Sequence, residues 1–354
     1  MFDTARTLLH EAVIAGACPA ASIEVGTANR PIWTESVGRL TFDARAPATT
    51  SDTIFDLASL TKVLATVPLV MQQVERGALG LDDAVAGLVP QWTGNARAAV
   101  TIRDLLAHCS GLPSYRPLYF RHRGESEVAA AICGLPLEYV PRSRSIYSDL
   151  DFILLGCILG GASVLPARVA TLLAQTGVID PLLFNPPASL HGRTAPSAFD
   201  AWRGRRLVGE PDDHNASIAL GGIAGHAGLF GTAGAVGASA RHLLQVLDGR
   251  TGAFRRSTLE EFITRRSDIP GSSRALGWDT MQPTSSCGTR MSPRAFGHTG
   301  FTGTSLWIDP DQGIYVVLLT NRVYASRSNG AIVDVRRRVH DAVMDDVLRS
   351  GALS

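Results

Sequence analysis

The alternation of apolar and polar residues indicates secondary structure most clearly at the two ends of the chain. The runs ASIEVG and PIWTESVG are β-prone and flank a turn-like segment at residues 27–30, which predicts a β-hairpin. The preceding segment, MFDTARTLLHEAVIAG, is typical of an amphipathic helix. Near the other end, TSLWI and IYVVLLT flank the turn DPDQG and predict a second hairpin. A closing helix is predicted near the C-terminal end, because the apolar residues there recur on one helical face: Ile332, Val335, Val339, Val343 and Val347.

The middle of the chain has a helical period instead. In FDLASLTKVLATV the apolar residues recur at helical spacing, and Pro68 is expected to kink or interrupt that helix. Thr101 predicts the N-cap of a helix over TIRDLLAH, and Gly111 follows as a stop signal. A further helix is predicted from near Ser148 to Gly160, so the residues just before it form a loop at a helix N-terminus.

Strand signals at both ends with helices between them predict an α+β fold. We expect an antiparallel sheet flanked by helices and built from both termini, with an inserted, mainly helical domain. The sheet domain is placed at residues 1–55 and 255–354, and the helical domain at residues 56–254. A substrate cleft is expected between the two.

Composition narrows the classes of partner. The 33 basic and 32 acidic residues leave a net charge of +1, so no global field attracts nucleic acid or an anionic membrane. The sequence contains no uninterrupted apolar run of about 18 residues, so a membrane span is not predicted. The N-terminus is not typical of a secretory signal. As written, the sequence predicts a cytoplasmic protein; a processed form would be periplasmic or extracellular. Partners must therefore be inferred from candidate sites instead.

Metal and cofactor sites are not expected. The five cysteines are an odd count without CxxC spacing, which argues against a disulfide framework or a zinc site. Asp212, Asp213, His214 and His226 lie in or near a glycine cluster, but they form neither an HExxH motif nor a phosphate-binding loop.

The strongest chemical signal is the pair Ser59 and Lys62. Three residues apart on a helix, their side chains lie on one face within reach of each other. Lys62 is the only lysine among the 33 basic residues. A desolvated lysine can have its pKa lowered and accept a proton, whereas a guanidinium cannot. The pattern therefore predicts a serine nucleophile with a lysine that transfers its proton.

Two further segments could complete an acyl-transfer site. Tyr147, in the loop before the predicted helix, could share a proton with Lys62; a packing tyrosine beside an ordinary helix cap is the alternative. In the segment HTGF, Gly300 would let substrate lie along a strand edge, and the Phe301 N–H could join the Ser59 N–H as oxyanion donors. A turn histidine beside structural glycines is the alternative there.

Together these segments resemble the serine β-lactamase and penicillin-binding-protein superfamily, including its family VIII esterases. Its ordered motifs are Ser-x-x-Lys, Tyr-x-Asn and Lys/His-Thr-Gly, and this chain has SLTK, YSD and HTG in the same order. The segments LLAHCSGLP, NASIALGGIAGHAGLF and GHTGFTGTSLWIDP extend the resemblance over most of the sequence. The resemblance implies a β-lactamase/transpeptidase-like fold.

The resemblance also implies roles for individual residues. Ser59 is the implied nucleophile, with Lys62 and Tyr147 in proton transfer. The implied substrate-binding and oxyanion residues are Asp149, His298, Thr299, Gly300 and Phe301.

Two of these residues depart from the usual pattern. Asp149 replaces the usual Asn, and His298 stands where β-lactamases usually carry Lys. The expected activity is thus hydrolysis of an ester, amide or D-amino-acid peptide through a seryl acyl-enzyme, more similar to D-alanyl peptidases and esterases than to β-lactamases. An acyltransferase with the same acyl-enzyme, or an inactive binding protein on the same fold, is the alternative.

Overall fold

The computed structural model describes residues 1–350, and its main sheet contains strands from both ends of the chain. That sheet has six strands in the order β2-β1-β11-β10-β9-β8, and all of its pairings are antiparallel. The strands are β1 (Ala20–Thr27), β2 (Pro31–Gly38), β3 (Phe55–Asp56), β4 (Leu182–Phe184), β5 (Phe199–Asp200), β6 (Arg205–Arg206), β7 (Leu229–Gly231), β8 (Asp279–Thr280), β9 (Phe296–Thr299), β10 (Ser305–Asp309) and β11 (Ile314–Thr320). Both predicted hairpins are present, as β1–β2 and β10–β11.

Helices cover both faces of this sheet. They are α1 (Asp3–Ile14), α2 (Val67–Glu75), α3 (Val85–Leu88), α4 (Ile102–Leu106), α5 (Gly124–Gly134), α6 (Asp149–Ile158), α7 (Gly161–Thr176), α8 (Ala233–Leu247), α9 (Arg256–Ile263) and α10 (Ile332–Ser350). Helices α1 and α10 pack on one face, where Val316 and Leu318 of β11 point, while Val317 and Leu319 point into the core under α8. Because both faces are covered, β11 is apolar at nearly every position.

The remaining strands and helices form a mainly helical part. Strands β3, β7 and β4 make a small antiparallel sheet, and β5 pairs with β6. The predicted α+β fold is thus confirmed. Helix α8 lies within residues 56–254 yet packs on the main sheet, and one apolar cluster runs from that sheet into the helices. The domain limits at residues 55 and 255 stay a prediction.

Local signals were read correctly at some helix ends and not at others. Thr101 caps α4 in a capping box with Asp104, and Ser148 caps α6 through the Asp151 N–H. The helix is not interrupted at Pro68: a π-helical segment, Lys62–Thr66, runs directly into α2. Pro68 lies in the first turn of α2, where the missing N–H of a proline is tolerated. Helix α4 ends at Leu106, before Gly111, and the following left-handed position is taken by His108 (φ 54°).

In the described part of the chain no single helix is long and apolar enough to cross a membrane, although the bent pair α6 and α7 reaches that length and composition together.

Candidate active site

Ser59 follows a constrained turn at the end of β3. The Asp56 carboxylate accepts the N–H of Ala58 at 2.9 Å and, with its other oxygen, the N–H of Asp212 at 2.8 Å. Ala58 has a positive φ of 47°, which is unfavourable for a residue with a Cβ. Such strain persists only where the surroundings enforce it, and it presents Ser59 to the cleft at the start of the helical segment.

Two side chains donate hydrogen bonds to the Ser59 hydroxyl oxygen. Tyr147 Oη lies 2.7 Å from Oγ, and Lys62 Nζ lies 3.0 Å from it. Lys62 is fully buried, and its Nζ also donates to Asp149 Oδ1 at 2.8 Å and to the carbonyl oxygen of His226 at 3.0 Å. All three ammonium protons therefore have acceptors. Four predicted site residues therefore lie together: Ser59, Lys62, Tyr147 and Asp149.

The charge state of Lys62 differs from the one that burial alone would give. Burial favours the neutral amine, but the charge of Asp149, the Tyr147 hydroxyl and the hydrogen bonds to both outweigh it, so the pKa of Lys62 is raised. The lowered pKa of Lys62 expected from the sequence is therefore wrong. Burial also raises the pKa of Tyr147, and the nearby Lys62 ammonium offsets this only in part.

Tyr147 is held by the loop before α6 and by ring contacts. The Ser148 N–H donates to His108 Nδ1 at 3.1 Å, and the Asp149 N–H donates to the Ser114 carbonyl at 3.0 Å. The His108 ring packs on the Tyr147 ring with centroids 4.7 Å apart, and the Arg274 guanidinium lies 5.2 Å from the centroid of the same ring. Tyr147 thus enters the cleft from a fixed position.

The HTG segment forms the opposite wall of the cleft. Strand β9 pairs with β10 on one side, while β8 covers only Phe296 and Gly297 on the other, which leaves the edge beyond them free. Thr302 Oγ1 donates to the Asp56 carbonyl at 2.6 Å, and Thr304 Oγ1 donates to the Leu57 carbonyl at 3.0 Å. These bonds attach the HTG segment directly to the turn that carries Ser59.

Two backbone N–H groups at this junction are free. Within residues 1–350 neither the Ser59 N–H nor the Phe301 N–H has a hydrogen-bond acceptor, and both residues line the cleft. Gly300 packs so tightly that a Cβ there would lie 2.6 Å from the Leu57 carbonyl oxygen. Free N–H groups beside a nucleophile are what an oxyanion hole requires.

His298 is a neutral residue in this site. It is buried, and its Nδ1 lies 2.8 Å from the Thr299 carbonyl oxygen, so Nδ1–H is the donor. Burial, with Arg274 and Lys62 nearby, holds the pKa of His298 well below its usual range. His298 therefore does not replace the charge of the usual Lys at neutral pH, and the arginines that line the cleft, among them Arg274, are the cations there.

Sequence reasoning missed Arg274 and His108. Arg274 is one of many arginines and stands outside the motifs, so no local pattern distinguished it. His108 lies in LLAHCSGLP, a segment noted only as part of the resemblance. Ser110, two residues later, is buried and donates to Asp151 Oδ1 at 2.5 Å, away from the cleft.

The acidic and histidine residues before the glycine cluster form pairs. His226 Nε2 lies 2.9 Å from Asp213 Oδ1, and His226 holds the pKa of the partly buried Asp213 carboxyl down at about 2 against the effect of burial. Among the described residues no group of three or more His, Cys, Asp or Glu side chains is arranged to hold a metal ion. Asp213 and His226 line the cleft instead, which has a volume of about 830 Å³.

Comparisons with known proteins agree with this architecture. The sequence model of the family described as Beta-lactamase matches residues 5–339. A protein of Salmonella gallinarum named "Putative D-alanyl-D-alanine carboxypeptidase" is 32% identical over 319 residues, which cover 79% of this chain and 72% of that protein. A penicillin-binding-protein homologue from Caulobacter crescentus superposes with a TM-score of 0.74 at 20% identity, covering 97% of each chain. EstCE1, a hydrolase with promiscuous acyltransferase activity, gives a TM-score of 0.73 at 18% identity, covering 95% of this chain and 97% of its own. The fold, the family match and the carboxypeptidase-named relative lead to one conclusion: the chain belongs to the β-lactamase family.

Proposed function

We propose that the protein is a serine acyl hydrolase in which Ser59 forms an ester with the acyl group of the substrate. The observation that carries the proposal is the pair of hydrogen bonds from Tyr147 and Lys62 that converge on Ser59 Oγ. The free N–H groups of Ser59 and Phe301 support it, because they are placed to stabilise a tetrahedral oxyanion.

The proton balance of the reaction runs through the Tyr147–Lys62 pair. Ser59 Oγ bonds to the carbonyl carbon, and its proton passes to the pair, which must first have lost one proton. The pair then protonates the leaving nitrogen or oxygen as its bond to the acyl carbon breaks. Water attacks the ester in a second step and restores Ser59. Because Asp149 stabilises the Lys62 ammonium at 2.8 Å, we expect the active state to form on the alkaline side.

The substrate we propose is a peptide ending in D-alanine. Its terminal carboxylate would meet Arg274, whose half-buried guanidinium has no hydrogen-bond acceptor among the described residues, and the Thr299 hydroxyl. A guanidinium suits a carboxylate because its donors match the two oxygens. The name of the Salmonella relative points to the same substrate class.

Ester hydrolysis or acyl transfer is a second candidate, favoured by an apolar edge of the cleft. Phe301 and Val333 line it and are 51% and 57% exposed. Exposed apolar side chains at a cleft would suit an acyl chain or an alcohol acceptor better than a charged peptide end. EstCE1, with its hydrolase and acyltransferase activities, has the same fold.

The test is covalent labelling followed by intact mass. A fluorophosphonate should add one phosphonyl group, as Ser59 Oγ bonds to phosphorus and fluoride leaves. Ser59→Ala should remain unlabelled, whereas the control Ser114→Ala, at another cleft serine, should label like the natural protein. Release of D-alanine from a peptide ending in D-alanyl-D-alanine then separates the peptidase from the esterase, which would cleave only a nitrophenyl ester. Absence of labelling in the natural protein would refute the proposal and favour an inactive binding protein.

A further inference from the structure

Arg336, in the first turns of α10, places a buried guanidinium at the HTG wall and is one of the residues that line the cleft. Its side chain is 7% exposed. One terminal nitrogen donates to the Gly300 carbonyl oxygen at 2.9 Å and to the Thr304 carbonyl oxygen at 2.8 Å. This nitrogen therefore bridges the two ends of the turn at residues 300–304.

The charge of Arg336 has no carboxylate to balance it. In the part of the chain that the structure describes, no acidic side chain forms an ion pair with it, and its Nε has no hydrogen-bond acceptor. Burial and the neighbouring Arg322 lower the pKa of Arg336 to about 9, so it remains a cation at neutral pH. Burying an unpaired charge is costly, and a neutral side chain would fill this position more cheaply. Packing alone is a poor reason for an arginine here.

The position of the two carbonyl groups supplies a better reason. The Gly300 carbonyl and the Phe301 N–H belong to one peptide group. A cation that donates to the carbonyl oxygen polarises that peptide and makes its N–H a stronger donor. Arg322 Nε donates to the Phe301 carbonyl at 2.8 Å and so polarises the following peptide group, which contains the Thr302 N–H. Two buried guanidiniums thus flank the free Phe301 N–H.

We propose that Arg336 is a positioning residue of the oxyanion hole, which fixes and polarises the Gly300–Phe301 peptide for negative charge on the substrate. The inference rests on the proposed function, since an oxyanion forms only if Ser59 is acylated. The turn's own bonds, from the Gly303 N–H to Gly300 and from the Gly300 N–H to Thr304, set its local shape but bring no charge to it. The two guanidiniums, by contrast, both hold the turn in place and bring positive charge to it.

The experiment separates the rate of the chemical step from ground-state binding. Labelling by a fluorophosphonate is followed at several concentrations, which gives the maximal rate constant kinact and the half-saturating concentration KI. For Arg336→Met we expect kinact to fall about 10²-fold, the effect of impairing one oxyanion donor, with KI little changed. The matched control is Arg338→Met, two residues along the same helix, where the side chain is 57% exposed and, within residues 1–350, forms an ion pair only with Asp334.

A second variant guards against loss of folding. Arg336→Gln keeps N–H donors for the carbonyl groups but has no charge, and we expect a reduced kinact here as well. The carbonyl stretch of an acyl-enzyme made from a carbon-13-labelled ester should rise in frequency in either variant, because the carbonyl is polarised less. If a folded variant has the same kinact and the same carbonyl frequency as the natural protein, the inference about Arg336 is wrong, whereas the proposed function is unaffected. A natural protein that is not labelled at Ser59 would overturn both the proposed function and the inference.

Discussion

Replacing Gly300 with alanine should separate the two halves of the candidate oxyanion hole. An added Cβ would lie 2.6 Å from the Leu57 carbonyl oxygen, 2.1 Å from Thr304 Oγ1 and 3.3 Å from Ala58 Cβ. The hydroxyl can rotate away, although it then loses its bond to Leu57. The carbonyl oxygen belongs to the backbone just before Ser59, so relief of the clash requires the HTG segment to move several tenths of an ångström away from Ser59.

The size of the effect follows from this displacement. Misplacing a catalytic group by about 1 Å can cost about 10²-fold in rate, and removing one oxyanion donor costs about 10²- to 10³-fold. We expect the labelling rate of Gly300→Ala to fall about 10²-fold, which corresponds to roughly 2.7 kcal/mol in activation free energy. Fluorophosphonate labelling, read by intact mass over time, measures the rate, and circular dichroism confirms that the variant is folded.

The control is Gly87→Ala in α3, where an added Cβ meets no atom within 4 Å and the backbone φ is ordinary. It should label at the natural rate. A folded Gly300→Ala protein that also labels at the natural rate would show that the close contact between the two segments does not position the oxyanion donors.

Three further predictions concern charge and protonation. Lys62→Arg should fold but label about 10²- to 10⁴-fold more slowly, because a guanidinium does not give up its proton; a near-natural labelling rate would exclude proton transfer through Lys62. Asp149→Asn removes the carboxylate that stabilises the Lys62 ammonium, so the rise of labelling rate with pH should move to lower pH, and an unmoved profile would contradict this. Burial raises the pKa of Asp56 from 3.8 to about 7, so the folded state binds its proton more tightly than the unfolded state. Its contribution to stability is complete below pH 3.8 and is lost as the pH rises to about 7; Tm measured against pH should show this loss in the natural protein and not in Asp56→Asn.

The presence of Asp149, where the usual motif has Asn, changes the electrostatics of the whole site. A neutral amide would leave burial as the main influence on Lys62, which favours the free amine. The carboxylate instead makes an ion pair with the buried ammonium. At the opposite wall, burial removes the charge from His298, while Arg274 provides a cation nearby. Compared with the usual motifs, the cleft therefore has an additional negative charge at Asp149, no positive charge at His298 and a positive charge at Arg274.

Several features of the protein were determined by the sequence alone. The two hairpins, the cap at Thr101, the helix start near Ser148 and the closing helix were predicted correctly because they depend on local periodicity and on hydrogen bonds between near neighbours. The order of the SLTK, YSD and HTG motifs also indicated the family correctly. These signals are short in range and are carried by the residues themselves.

Other features were decided only by the tertiary structure. The π-helical segment Lys62–Thr66, which runs into α2 just before Pro68, and the left-handed conformation of His108 both go against local expectation. The raised pKa of Lys62 depends on Asp149, which lies 87 residues away in sequence, and the role of Arg336 depends on a turn 32 to 36 residues before it. The sequence gives the identity of these residues but not the distances between their charged groups in the folded protein. Electrostatic energy depends on those distances and on burial. The candidate nucleophile could therefore be read from the chain, whereas the charge state of its surroundings could not.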